Sequence, residues 1–555
     1  MSENNKVYFA QTNFRNQRTP FGIKQTDRTK HMYVIGKTGM GKTTLLENMA
    51  VQDIRNGEGL GIIDPHGSFA EKMLDYIPEE RVKDVIYLNP ADTDYPIAFN
   101  IMEDVNPEQR HLVASGLMGV FKKMWPDVWS ARMEYILNNC ILALLEYPNA
   151  TLLGVNRMLA DKEYRKEVVS NVQDPVIKAF WEQEFAKYTE RFAAEATPAI
   201  QNKVGQFTSN PVIRNIIGQP KSSFDFRKVM DERKIVIMNL SKGKIGELNS
   251  QLIGAMLITK IYLAAMSRAL NTAQEFPDFY LYVDEFQNFA TESFRDILSE
   301  ARKYGLALIL AHQYITQMEE SVRDAVFGNV GTHLVFRVGP ADAEVLEKEF
   351  APEFMADDIV NLGFASIYLK LSIDGVPSRP FSAGTLPPIE RASESKRGEV
   401  LEFSRKIYCG IKEEVENQIG KWHKPISSAG VLDNKKKPED AEKESPQLFE
   451  AACSVCGKKI LVPFKPDGKR PIFCQKHRSY LFDDEIKQEK EEGLSLRNLS
   501  QRTTQFRKEP HVRKSKSTPD FKGLRELLEE AGVKKSNNEE QKKEKKLNSG
   551  ESIKF

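Results

Sequence analysis

The sequence contains little cysteine, no long uninterrupted apolar run and almost no net charge. Five cysteines among 555 residues, three of them close together near the C-terminus, do not suggest a disulfide framework. The first residues lack the apolar segment of a signal peptide, and the longest apolar helix candidate, 252–266, contains Lys260 and is too short to cross a bilayer. The formal net charge is +1, so any nucleic-acid-binding surface must be local. We therefore expect a soluble, cytoplasmic protein with no transmembrane segment of its own.

One motif near the N-terminus lies between a short apolar strand pattern and a helix pattern. Residues 36–43 match Gly-x-x-x-x-Gly-Lys-Thr, the phosphate-binding P-loop. Its glycines let successive backbone N–H groups face an anionic phosphate chain. Lys42 is expected to reach the β- and γ-phosphates of ATP, and the Thr43 hydroxyl to bind Mg²⁺. The predicted nucleotide site consists of Gly36, Lys37, Thr38, Gly39, Met40, Gly41, Lys42, Thr43 and Thr44.

Two adjacent carboxylates end a later apolar strand, 279–283. In a P-loop ATPase such a pair binds the metal and activates water, so we expect Asp284 to bind Mg²⁺ and Glu285 to polarise the attacking water. Glu285 distinguishes an ATP hydrolase from a protein that only binds nucleotide. Gln313 follows the strand 306–311 and is a candidate sensor of the γ-phosphate.

Several other polar residues at strand ends have two interpretations each. Arg302 precedes the strand 306–311, at the end away from its own nucleotide. It is either an arginine finger for a neighbouring subunit, as in ring-shaped ATPases, or a surface arginine. Arg337 is the reserve candidate for the same role. Asp64 and His66 follow another strand and either line the ligand site or only form the turn.

The order of the patterns predicts the domain organisation. Strands alternate with helices, which predicts an α/β domain with a mostly parallel sheet. Residues 106–220 show helical periodicity without strand signals, which predicts an all-α insertion. The predicted parts are an N-terminal segment (1–30), the ATPase domain (31–105 and 221–390), the insertion (106–220), a helical extension (391–424, with one helix at 399–419), a disordered linker (425–446), a zinc ribbon (447–482) and a charged, largely disordered tail (483–555).

The C-terminal cysteines have the spacing of a metal site. Cys453-x-x-Cys456 is followed after 17 residues by Cys474-x-x-His477. Three thiolates and one imidazole suit a tetrahedral structural Zn²⁺, so we expect a zinc ribbon without catalytic chemistry. Beyond it, 497–525 carries nine Lys/Arg against two acids. This segment either binds phosphate backbones or is a solvated tail.

Several motifs together resemble one family, the TraG/TraD-like coupling ATPases of conjugative type IV secretion, within the HerA–FtsK group. The resemblance covers about residues 6–420 and rests on residues 27–33 before the P-loop and on the motifs Ile63-Asp64-Pro65-His66-Gly67, Val283-Asp284-Glu285-Phe286 and Ala311-His312-Gln313. It implies a RecA-like motor that assembles as a hexameric ring and pumps DNA with ATP, while the all-α domain faces the DNA. It also implies a secretion channel or relaxase complex as partner, and through that partner a place at the inner membrane.

Two features depart from this family, and two other functions stay open. Many coupling proteins carry N-terminal transmembrane helices, which are not predicted here, and the zinc ribbon lies outside the common pattern. A HerA-like cytosolic translocase that works with a nuclease is the first alternative. A nucleotide-gated adaptor, with the zinc ribbon and basic tail as binding modules, is the second, and Glu285 argues against it.

Overall fold

The computed structural model describes residues 6–422, apart from 14, 16, 189, 271–275, 293 and 392, and then residues 449–462, 466, 472 and 474. The chain forms two compact units, Met1–Val431 and Leu432–Phe555. The predicted linker and charged tail, including its basic stretch 497–525, lie outside the described residues.

An 11-stranded sheet forms the centre of the first unit. The strands of this unit are β1 (Lys6–Thr12), β2 (Pro20–Lys24), β3 (Met32–Ile35), β4 (Gly59–Asp64), β5 (Val85–Leu88), β6 (Ile235–Asn239), β7 (Phe279–Val283), β8 (Leu306–His312), β9 (Thr332–Val335), β10 (Ser366–Lys370), β11 (Ser372–Ile373), β12 (Val376–Pro377) and β13 (Phe381–Thr385). The order in the sheet is β2-β1-β13-β10-β9-β3-β8-β7-β4-β6-β5, and β11 and β12 pair separately.

The seven strands from β9 to β5 run parallel, and the other four join them antiparallel. The parallel strands are buried along their whole length. Continuous apolar runs are typical of strands covered on both faces, because both sets of side chains leave water. This explains why the α/β pattern was visible in the sequence and confirms the predicted fold class.

Helices cover the sheet and build the insertion. They are α1 (Gln25–Arg28), α2 (Lys42–Arg55), α3 (Ser68–Met73), α4 (Arg110–Met124), α5 (Ala131–Leu145), α6 (Gly154–Ala160), α7 (Lys162–Asn171), α8 (Pro175–Ala179), α9 (Glu190–Thr208), α10 (Pro211–Ile217), α11 (Phe226–Asp231), α12 (Lys242–Ile245), α13 (Glu247–Met266), α14 (Phe294–Glu300), α15 (Glu320–Asn329), α16 (Pro340–Phe350), α17 (Ala356–Val360), α18 (Arg397–Tyr408) and α19 (Lys412–Trp422). Helices α4–α10 form the insertion, and its described residues contain no strand, as predicted.

Two parts of the chain differ from the sequence prediction. The N-terminal segment, which we set apart from the ATPase domain, supplies β1 and β2 to the same sheet. The single helix predicted at 399–419 is wrong, because the chain forms α18 and α19 with a break at Cys409 and Gly410. Cys409 is extended there and pairs with Ile97, and glycine lowers helix stability.

One helix of the first unit extends beyond the apolar run 252–266 at both ends. Among the described residues, Glu247–Ala269 is long and apolar enough to cross a membrane by length and composition alone. Most of its apolar window, 67%, is buried within the fold. Lys260 on this helix donates to the carbonyl of Glu103 at 2.7 Å.

Candidate nucleotide hydrolysis site

The P-loop adopts the conformation that its glycines predict. Gly39 and Gly41 have φ of +77° and +110°, the left-handed region that glycine enters without strain. A Cβ atom at Gly36 would lie 2.4 Å from the Cβ of Phe336, so no larger residue fits there. The loop therefore leads from β3 directly into α2, which begins at Lys42.

Lys42, the first residue of α2, is 5% exposed. Its Nζ donates to the carbonyls of Gly36 at 2.5 Å and Lys37 at 3.2 Å. Burial lowers the pKa of Lys42, and the nearby carboxylates of Glu285 and Asp284 oppose that shift. The ammonium group thus lies against the backbone of the loop, where a phosphate chain would give it a counter-charge.

The sheet order brings the predicted catalytic side chains together. Strand β8 lies between β3, which carries the P-loop, and β7, which ends at Asp284. Because these three strands are parallel, their carboxyl ends meet at one edge. Thr38 donates to the Gln313 side-chain oxygen at 2.9 Å, and Gln313 in turn donates to the carboxylate of Glu285. One hydrogen-bonded chain thus joins the P-loop, the sensor candidate and the candidate base.

Glu285 is held by a second amide that the sequence did not indicate. Gln287 donates to its other carboxylate oxygen at 2.6 Å. Glu285 itself has a φ of +48°, a left-handed conformation that is uncommon for a residue other than glycine and persists only where surrounding contacts hold it. No sequence motif marks Gln287, because its role depends on the turn that follows β7.

Asp284, the predicted Mg²⁺ ligand, is a buried carboxylate at the end of β7. It is 5% exposed, and burial, together with the nearby Asp64 and Glu285, raises its pKa to about 7. Lys42 lies near Asp284 and opposes this shift, but no ion pair among the described residues involves Asp284. Such a buried carboxylate suits a bound divalent ion, and oxygen donors such as Asp284 and the Thr43 hydroxyl are those that Mg²⁺ prefers. The residues present therefore fit Mg²⁺.

Asp64 has a structural role at the end of β4. Its two carboxylate oxygens accept from the backbone N–H groups of His66 at 2.8 Å and Ala70 at 3.0 Å. It thus holds the turn into α3, which was one of its two interpretations. Asp64 also lies close enough to Asp284 to raise the pKa of that carboxyl, so it contributes to the site's charge as well.

The two arginine candidates lie at different edges of the sheet. Arg302 is exposed on a short 3-10 helix, Ala301–Tyr304, that leads into β8. It lies at the end of β8 opposite to Gln313, as predicted. Arg337 lies beside its own P-loop, where its carbonyl accepts from the Lys37 N–H at 2.8 Å.

Comparison with known families decides the assignment. A sequence model described as the type IV secretion-system coupling protein DNA-binding domain matches residues 19–356, more than half of the chain. The chain belongs to this family. The match spans the P-loop, the all-α insertion, Glu285 and Gln313. It confirms the resemblance to TraG/TraD-type coupling ATPases. A comparison with curated protein sequences finds no match.

Solved structures of a coupling protein share the fold. The plasmid coupling protein TrwB in complex with the non-hydrolysable GTP analogue GDPNP has a TM-score of 0.50 at 16% identity, covering 68% of this chain and 90% of TrwB. TrwB with the ATP analogue ADPNP has a TM-score of 0.50 at 14% identity, covering 66% and 88%. At this identity the likeness shows the RecA-like P-loop fold of coupling proteins.

The C-terminal unit contains the predicted cysteine cluster. Cys453, Cys456 and Cys474 place their sulfur atoms within 4.8 Å of one another, and the Sγ atoms of Cys456 and Cys474 are 3.9 Å apart. Tetrahedral zinc with Zn–S bonds of about 2.3 Å would separate two sulfurs by ~3.8 Å. The first knuckle joins β14 (Phe449–Ala452) to β15 (Lys459–Val462). His477, the predicted fourth ligand, lies outside the described residues.

A second sequence model, described as a probable treble clef zinc finger, matches residues 447–476. This match and the cysteine cluster confirm a Zn²⁺-binding module. The finger class it names is a treble clef, where the cysteine spacing had suggested a ribbon.

Proposed function

We propose that this coupling-family protein hydrolyses ATP and uses the energy to move DNA during conjugative type IV secretion. The observation that carries the proposal is the chain of hydrogen bonds from Thr38 of the P-loop through Gln313 to Glu285. A protein that only binds nucleotide needs no carboxylate connected to its P-loop in this way. Glu285 is therefore the proposed general base.

The residues have distinct parts in this reaction. The P-loop N–H groups and Lys42 bind the phosphates, and Thr43 and Asp284 hold Mg²⁺, which would neutralise the charge that develops on them. Glu285 orients the attacking water and takes its proton. Gln313, between Thr38 and Glu285, is placed to respond to the γ-phosphate. The structures of TrwB with GDPNP and ADPNP support nucleoside triphosphate as the ligand.

The assembly and the division of labour are part of the proposal. Arg302 is too far from its own P-loop edge to serve it, so it would complete the site of a neighbouring subunit in a hexameric ring. We assign catalysis to residues 31–105 and 221–390 and DNA contact to the all-α insertion, 106–220. The secretion channel or relaxase complex would hold the cytoplasmic ring at the inner membrane.

The family match favours this function over the two alternatives from the sequence. A HerA-like translocase that works with a nuclease would not be expected to match a coupling-protein model across residues 19–356. A nucleotide-gated adaptor would not need Glu285.

ATP turnover with and without DNA tests the proposal. We expect Mg²⁺-dependent hydrolysis by the purified protein that single- or double-stranded DNA stimulates. Lys42→Ala should abolish turnover, because the β- and γ-phosphates lose their cation. DNA-stimulated hydrolysis that persists in Lys42→Ala would contradict the motor assignment, as would a wild-type protein without any turnover.

A further inference from the structure

The all-α insertion contacts the segment that follows the candidate base. Lys123, near the end of α4, has a partly buried ammonium group that donates to the backbone carbonyl of Gln287 at 2.6 Å and to that of Ala290. Both acceptors belong to the turn after β7. Among the described residues, Lys123 is thus the side chain of the insertion that binds the carbonyls of this turn.

Gln287 connects this contact to the chemistry. Its backbone carbonyl accepts from Lys123, while its side-chain amide donates to Glu285 at 2.6 Å. A change in the position of α4 would therefore move the residue that holds Glu285. Glu285 keeps its unusual φ of +48° in this arrangement, so its conformation depends on the surrounding contacts.

Hydrogen bonds hold both carboxylate oxygens of Glu285 in this arrangement. One carboxylate oxygen accepts from Gln287 and the other from Gln313. A carboxylate whose two oxygens both accept from amides is a weaker acceptor for the proton of a water molecule. Release of one amide would return an oxygen to the attacking water.

We propose that Lys123 and Gln287 are positioning residues through which the all-α insertion controls Glu285. When DNA binds the insertion, α4 shifts, Gln287 leaves the carboxylate and hydrolysis accelerates. This inference rests on the proposed function, because it requires DNA to act on the insertion and Glu285 to act as the base.

The chain provides a matched control one residue away. Lys122 lies on the same helix but is 51% exposed, and its ion pair with Glu292 spans 3.8 Å. Exposed pairs of this kind contribute little. Lys122→Met removes the same charge from the same helix without touching the carbonyls of the turn.

The test measures ATP turnover with and without DNA in full-length Lys123→Met, Gln287→Ala and Lys122→Met. We expect Lys123→Met and Gln287→Ala to raise the DNA-independent rate and to lower the stimulation by DNA roughly 5-fold or more, in the usual range of allosteric coupling. The double variant should match the single ones, since both changes break one connection. Lys123→Arg, which can still donate to both carbonyls, should restore stimulation, and Lys122→Met should behave as wild type.

Binding of a fluorescent ATP analogue separates this role from damage to the fold. The affinity should stay near wild type in every variant, because none of these side chains belongs to the P-loop. If Lys123→Met and Gln287→Ala keep the wild-type stimulation, or if both rates fall in equal proportion, the inference is wrong while the ATPase assignment stands. If wild-type turnover does not respond to DNA, the proposed function fails first and this inference with it.

Discussion

Helix α2 carries a buried charged residue near each end, and the surroundings of the two differ. Asp53, near its C-terminal end, accepts from both terminal nitrogens of Arg28 at 2.7 Å and from the Tyr282 hydroxyl. Lys42, at its start, donates only to backbone carbonyls, and no ion pair found among the described residues joins it to a carboxylate. Asp53 thus has a counter-charge within the protein, whereas Lys42 has no ion-pair partner among the described residues.

This difference distinguishes a charge that stabilises the fold, at Asp53, from one that suits ligand binding, at Lys42. Removing a charge from water is costly, so a buried ion needs partners that replace its hydration. Arg28 and Asp53 form a buried, bidentate ion pair that holds the N-terminal segment against α2. At the other end of α2, neither Lys42 nor Asp284 forms an ion pair among the described residues, and burial raises the pKa of Asp284 to about 7. Phosphate and Mg²⁺ would complete both charges at once.

Arg302 tests whether a neighbouring subunit supplies a further charge to the Lys42 end. An arginine finger stabilises charge that develops only in the transition state. Arg302→Ala should therefore bind ATP with near-normal affinity and lose hydrolysis by ~10³-fold or more. Turnover and binding of a fluorescent ATP analogue, measured on the same preparation, distinguish the two effects.

Mixing two inactive variants shows whether Arg302 acts in trans. In mixed rings of Lys42→Ala and Arg302→Ala, some interfaces pair an intact P-loop with an intact arginine from the next subunit. Those interfaces should regain activity that neither variant shows alone. If mixed oligomers form but stay inactive, Arg302 is a surface arginine, and the same experiment then applies to Arg337. A protein that stays monomeric with ATP and DNA would rule out the ring.

Glu285→Gln separates nucleotide binding from hydrolysis at the same end of α2. The variant keeps the shape of the side chain but loses the base, so turnover should fall at least ~100-fold while ATP binding is retained. It should also hold the assembled protein in its ATP-bound form. Asp64→Asn is not a suitable control, because Asp64 holds the turn into α3. Glu163→Gln is the control, because Glu163 lies on the exposed surface of the insertion and its loss should leave ATP turnover unchanged. Near-normal turnover in Glu285→Gln would mean that Glu285 only ends the strand and has no role in catalysis.

The sequence was sufficient for the parts of the fold with strong local signals. Most of the parallel strands are largely apolar runs, and the P-loop has a fixed spacing, so the carboxyl-end cluster of Lys42, Glu285 and Gln313 could be inferred from chain order alone. Two of the antiparallel strands, β2 and β13, were missed because they contain proline, glycine or small polar residues that lack a strand pattern.

Other features depend on contacts between distant residues. Lys123 and Gln287 are separated by 164 positions, and nothing in either segment indicates the other. The Arg28–Asp53 pair likewise joins two segments that read as an ordinary basic turn and the end of a helix. Such contacts follow from tertiary packing, which a local pattern does not encode.

Asp53→Asn tests the buried Arg28–Asp53 ion pair near the C-terminal end of α2. The substitution leaves Arg28 buried without its counter-charge, and breaking a buried pair in this way costs about 3–5 kcal/mol. We expect the free energy of unfolding of the first unit to fall by this amount in urea denaturation, with ATP turnover per folded molecule close to wild type. Glu163→Gln, which breaks the exposed Lys166–Glu163 pair, should cost less than about 1 kcal/mol. Equal losses in the two variants would mean that the Arg28–Asp53 pair contributes no more than a surface pair.

The cysteine cluster is a third group of charges, and only a bound metal ion would neutralise its thiolates. Cys453 and Cys474 are buried, and three thiolates within 4.8 Å of one another would repel without a cation. Zinc should therefore be present at one ion per chain, with His477 as the fourth ligand, and Cys453→Ser should lose it and unfold residues near 450–480. ATP binding and turnover should not change, because the cysteines and the P-loop belong to separate compact units. Metal analysis and limited proteolysis of wild type and Cys453→Ser measure the first effect, and the ATPase assay measures the second. Purified protein without zinc would refute the metal site, whereas zinc loss that also abolishes ATP turnover would show that the two units depend on each other.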